Sequence, residues 1–144
     1  EQLLHHLHKF LMLKVQDELI IVDPYFFAPN SDTGYVGLVS DILAPFAPRL
    51  SSLSVVTHSG KKKLDQTVVS SIQTELAVKC PKLNLRTFIN NSFHDRFWIN
   101  PKERTGIVTG TSLNGLGQKY SLVARLSSAD ALDVLGALKR GRVI

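Results

Sequence analysis

"LSVVTHSGKKKLDQTVVSSIQTELAVKCPKLNLRTFI", residues 53–89, reads as strand, turn, helix and strand in succession. A short apolar run at about Leu53–Thr57 ends in a His-Ser-Gly turn. Leu64, Val68, Ile72 and Leu76 then recur every fourth residue, the spacing of an amphipathic helix, and Pro81 stops it. "KLNLRTFI" alternates apolar and polar side chains, as a strand does.

The same reading extends outward in both directions. Toward the N-terminus, "EQLLHHLHKFLMLKVQ" (1–16) sets Leu4, Leu7, Leu11 and Val15 on one helical stripe. The run "LIIV" within "DELIIVDPYF" (17–26) suits a strand buried on both faces and closed by Pro24. "APNSDTG" (28–34) is a loop, and "YVGLVSDILAPF" (35–46) a helix stopped near Pro45 and Pro48. Toward the C-terminus, "SFHDRFWIN" (92–100), "TGIVTGT" (105–111) and "KYSLVARL" (119–126) are strands. "SSADALDVLGALKRG" (127–141) is a helix with a capping-box-like start at Ser127 and Asp130 and a stop at Gly141. The predicted order is α-β-α-β-α-β-β-β-β-α. Alternating units followed by successive strands predict an α/β class, with a mixed β-sheet flanked by helices. The length, 144 residues, predicts one domain over 1–144. The chain opens inside an amphipathic pattern without Met, so it is expected to be a piece of a larger protein.

Composition narrows the function classes. Apolar residues make up 44% and charged ones 20%, which is a globular balance rather than a disordered or membrane one. The apolar runs are too short and too broken by charge for a transmembrane span, and no signal-peptide pattern is visible. One cysteine, Cys80, excludes an internal disulfide and a cysteine-based zinc site, and fits a cytoplasmic home. Net charge is +5 but uneven: residues 1–60 carry 3 basic and 6 acidic side chains, residues 61–144 carry 14 and 6. A basic C-terminal part favours a polyanionic partner such as nucleic acid, against a generic solvated surface.

The chemistry is concentrated in "FHDRFWIN" (93–100) and "GTSLNGLG" (110–117). If 93–99 is a strand, His94, Arg96 and Trp98 share one face and Phe93, Asp95, Phe97 and Ile99 the other, which is the expected core side. An imidazole serves as nucleophile or base, and a guanidinium grips phosphate oxygens in a bidentate fork. Ser112 and Asn114 add a hydroxyl and an amide in a glycine-rich turn, which a hairpin would bring beside His94 and Arg96. With no carboxylate pair nearby to hold a metal, a metal-free route is the more natural one, and no cofactor is expected. The competing reading is a polar strand face followed by an ordinary turn.

This ordered combination resembles the phospholipase D-like superfamily, whose signature is H-x-K, four residues, D, then a downstream Gly-Ser-x-Asn element. "HDR" and "GTSLN" match it through His94, Arg96, Ser112 and Asn114, and "IIVDPYF" is similar to the family's early strand. The likeness is to a single-motif bacterial branch, often a domain of larger proteins. The resemblance implies a metal-independent phosphodiesterase whose histidine forms a phosphohistidine while a second histidine protonates the leaving oxygen. It also implies a symmetric homodimer, since this chain carries one motif. His94, Arg96, Ser112 and Asn114 are then the catalytic set. Arg96 stands where the family has lysine, and Pro101 where it has aspartate. The alternative is a catalytically degenerate module for nucleic-acid binding or dimerisation.

Nucleic acid, DNA or RNA, is the expected partner rather than lipid, because no membrane-seeking helix or apolar anchor is present. Trp98 is weighed as core packing against base stacking. His5, His6 and His8 are read as solvated or capping rather than metal-binding. The lysines of "SGKKK" (59–63) oppose a helix dipole and are open to two readings, nucleic-acid contact or an exposed turn. Asp23 is open to a site-bordering or a turn-forming role.

Overall fold

The computed structural model describes residues 17–29, 34–109 and 123–143. The first predicted helix, with His5, His6 and His8, lies outside them, as do Ser112 and Asn114. The described elements are β1 (Asp17–Val22), α1 (Tyr35–Leu43), β2 (Leu50–Thr57), α2 (Gln66–Lys79), β3 (Asn84–Ile89), β4 (Arg96–Asn100), β5 (Thr105–Thr109), β6 (Val123–Arg125) and α3 (Ser128–Arg140). A turn of 3-10 helix, Ala47–Arg49, precedes β2.

The strands form one six-stranded sheet in the order β3-β2-β1-β4-β5-β6. β1, β2 and β3 run parallel; β4 is antiparallel to β1, β5 to β4 and β6 to β5. This is the predicted mixed α/β class. The alternating first half makes the parallel side, because a helix must carry the chain back between parallel strands.

β1 is central, and its "LIIV" is buried on both faces as predicted. Leu19 and Ile21 join the core under α1 and α2, with Val39, Ile42, Val69, Ile72 and Leu76. Ile20 and Val22 point the other way, into a second core with Val56, Ile99, Leu135 and Leu138 of α3. The described elements therefore form three layers, two helices on one face of the sheet and one on the other.

That layering corrects one expectation. β4 does not have a single core-facing side: Ile99 is buried on the α3 face and Trp98, 2% exposed, on the α1/α2 face. Trp98 is core packing. The helix whose apolar stripe was counted from Leu64 begins instead at Gln66. Leu64, counted in the stripe, forms a parallel bridge with Phe27, and the Asp65 side chain accepts the Thr67 N–H at 2.9 Å. Asp65 is the N-cap, so the three lysines precede the helix and its first cap is a carboxylate, the charge that the positive end of the dipole favours.

At α3 the Ser127 hydroxyl accepts the Asp130 N–H at 3.1 Å, as the capping pattern predicted.

Gly106 is fixed by space. A Cβ there would stand 2.6 Å from the Trp98 carbonyl oxygen and 3.0 Å from Ile99 Cγ1. The nearer atom is backbone and cannot turn away. Gly106→Ala is expected to destabilise the fold by about 1–3 kcal/mol through overpacking. Urea denaturation checks it, and a midpoint equal to the wild type would count against the contact.

Candidate functional site at the carboxyl end of the parallel strands

β1, β2, β3 and β5 end, and β4 begins, at the same end of the sheet. Three described connections meet there: residues 23–29, 58–65 and 90–95. In open α/β sheets the crevice beyond the carboxyl ends of the strands is where ligands bind. Thr109 and Val123, which flank the segment carrying Ser112 and Asn114, pair with one another at this end too.

His94 does not sit on the strand. The β1–β4 ladder ends at Val22↔Phe97, because β1 turns away at Pro24 and the Asp23 N–H goes to the Val56 carbonyl at 2.9 Å. Residues 93–95 have no strand to pair with, so β4 starts at Arg96 and His94 is exposed just before it. Arg96 does share the Trp98 face, as alternation requires. It lies opposite Thr109 of β5.

A second histidine adjoins the first. His58, just past the end of β2, is buried at 4% exposure, and its ring lies edge-to-face with His94, centroids 5.5 Å apart. Its Nε2 meets the Phe93 carbonyl, the peptide group just before His94. Its Nδ1 is 3.3 Å from Lys63 Nζ. A carbonyl only accepts and an ammonium only donates, so Nε2 carries the ring proton and Nδ1 presents its lone pair.

Tyr25 completes the described cluster. The Asp23 carboxylate accepts the Tyr25 N–H at 2.9 Å, a turn-forming role, and it does so at the site end of β1. The Arg96 guanidinium carbon stands 5.8 Å from the Tyr25 ring centroid, and Lys63 Nζ stands 5.6 Å from it. Both are within cation–π range. Arg96 Nε is buried and has no hydrogen-bond partner among the described residues. Behind this cluster the Thr57 hydroxyl donates to the Pro24 carbonyl at 3.0 Å, tying the ends of β1 and β2 together. Burial pushes the Tyr35 phenol well above its ordinary value, with the Asp23 carboxylate adding to the effect, so it donates to the Phe26 carbonyl as a neutral group.

The fold thus brings His94 and Arg96 to one place and adds His58, Lys63 and Tyr25. Sequence reasoning did not name His58 or Tyr25, and held Lys63 only within the "SGKKK" turn, open to nucleic-acid contact or to exposure. His58 and Tyr25 each stand within three residues of the end of a parallel strand, the position at which Asp23 was already noticed. The lysine turn is an ordered part of the site end: Lys63 and Leu64 both donate their N–H to the Gly60 carbonyl, at 3.0 and 2.8 Å. Asp95 is exposed.

Pro101 lies at the opposite end of β4, where Asn100 Oδ1 accepts the N–H groups of Lys102 and Glu103 at 3.0 and 3.2 Å. At strand rise this is about 17 Å from Arg96. A side chain at position 101 is therefore remote from His94.

Among the described residues no three His, Cys, Asp or Glu side chains are grouped to hold a metal ion, and no helix is long and apolar enough to cross a membrane. No protein-family model matches the chain, and no curated protein does.

Proposed function

We propose that the chain is a metal-independent phosphodiesterase of the phospholipase D-like type, acting on nucleic acid as a homodimer. The observation that carries this reading is a run of contacts at one end of the sheet: the exposed His94 ring against His58, His58 against Lys63, and Lys63 and Arg96 over Tyr25. In the proposed reaction His94 attacks phosphorus; the N–P bond forms as the P–O bond to the leaving group breaks. A second imidazole delivers a proton to the departing oxygen and then takes one from the water that hydrolyses the phosphohistidine. Arg96 holds non-bridging oxygens, with Ser112 and Asn114 assigned the same work by motif.

His58 is a poor candidate for the second imidazole. Both of its nitrogens are engaged, one by the Phe93 carbonyl and one by Lys63. The proton donor is therefore assigned to His94 of a second copy of the chain, which is the reason for the homodimer. The arginine in place of lysine keeps the charge and the fork needed to grip a phosphate. Position 101, far along β4, removes nothing from the reacting end.

The purified protein is expected to cut DNA or RNA in the presence of excess EDTA. Cleavage of lipid vesicles but not of nucleic acid would reassign the substrate. No cleavage of nucleic acid or of a simple phosphodiester, with nucleic-acid binding retained, would leave the binding module as the function.

A further inference from the structure

His58 is buried and yet spends both ring nitrogens on groups at the site. Nε2–H holds the Phe93 carbonyl, so it fixes the peptide that leads into His94. The ring edge meets the His94 ring, and Nδ1 accepts from the Lys63 ammonium at 3.3 Å. The turn that carries Lys63 is itself closed, by the two N–H bonds to the Gly60 carbonyl and by the Phe27↔Leu64 bridge. Gly60 takes φ +111°, a conformation that L side chains rarely adopt, so the turn has a set shape.

An ammonium group loses entropy and solvation when it is held this way. Lys63 and Arg96 both lie within reach of the same tyrosine ring. Two cations on one aromatic ring, with a buried guanidinium nitrogen unpartnered among the described residues, make a place that favours an anion. Through His58 that place adjoins the His94 ring.

We propose that Lys63 is the second cation of the phosphate-binding site and that His58 is the positioning residue that holds it there. This rests on the phosphate-site reading given above and extends it to a residue outside both sequence motifs. The ligand class is a phosphodiester, with Lys63 donating to a non-bridging oxygen and Arg96 forking another.

The test uses the whole chain with His94→Ala, which cannot turn a probe over, and a labelled single-stranded oligonucleotide, with Kd measured across a salt series. Lys63→Gln is expected to raise Kd about ten- to hundredfold and to shrink the salt slope by roughly 0.7, the share of one phosphate contact on a single strand. Lys63→Arg restores most of the affinity. Lys102→Gln, at the far end of the sheet, leaves both quantities unchanged. His58→Gln keeps an amide N–H for the Phe93 carbonyl but places no acceptor at the Nδ1 position that meets Lys63. It is expected to weaken binding as Lys63→Gln does, and the double variant to be little worse than either, as for two residues serving one contact. Thermal unfolding of each variant separates loss of the contact from loss of the fold. If the oligonucleotide binds but Lys63→Gln leaves Kd and salt slope unchanged, the role given to Lys63 is wrong while the phosphate-site reading stands. If neither the wild type nor the His94→Ala chain binds the probe, both are wrong.

Discussion

His94→Ala is expected to abolish EDTA-resistant cleavage, lowering the rate on the order of 10³-fold or more, while leaving the unfolding midpoint close to wild type. The size follows from the double duty assigned to this ring, nucleophile in one copy and proton donor in the other; general acid–base catalysis alone is worth about 10²–10⁴-fold. The small effect on stability follows from exposure: His94 precedes β4, outside the ladder, and its described ring contact is the edge of His58. Mixing adds a stricter check. Wild-type chains diluted with excess His94→Ala chains should lose activity as hybrids form, because each hybrid lacks one imidazole. Activity that scales only with the wild-type chains present would sink the shared site.

Trp98→Ala should behave in the opposite way. Trp98 is 2% exposed on the α1/α2 face, between Ile21 of β1 and Ile107 of β5 in register. Truncation there is expected to cost about 3–5 kcal/mol, the range for removing a large buried aromatic. Against a typical total of about 5–15 kcal/mol, that is a drop in melting temperature on the order of 10–20 °C. Calorimetry or denaturant titration reads it directly; a change under about 1 kcal/mol would mean that Trp98 packs less tightly than its burial indicates. Any activity lost by this variant should return in proportion to the folded fraction on cooling. The loss in His94→Ala should not.

The contrast between these neighbours explains what could be read in advance. The order of elements was legible because apolar spacing and proline stops are local properties. Leu19 to Val22 predicted a doubly buried strand, and the sheet supplies helices on both faces. The start of β4 was not legible. Nothing within "FHDRFWIN" reveals that β1 runs out of partners at Val22; that depends on Pro24 turning the neighbouring strand away. The helix after the lysine turn began late for a similar reason, since Leu64 is held by Phe27, a residue far off in sequence. His94 and Arg96 were found because they stand two apart in one motif. His58 and Lys63 are 36 and 33 positions away from His94 and Arg96 respectively. Only the parallel pairing of β1 with β2, and the antiparallel pairing of β1 with β4, brings them to the same end.

The central place of β1 also has a consequence for biosynthesis. Its partner on one side, β2, follows within about 30 residues, but its partner on the other, β4, is joined through Ile21↔Trp98, some 77 residues later. At about 5–20 residues per second on the ribosome, one apolar edge of β1 stays bare for roughly 4–15 s. Nascent or truncated chains ending before β4 expose that edge, a ready template for wrong pairing. Full-length chains bury it at the moment β4 docks. Because Arg96 opens β4, the same docking step delivers it to Tyr25, so closing the sheet and bringing these two side chains together are one event.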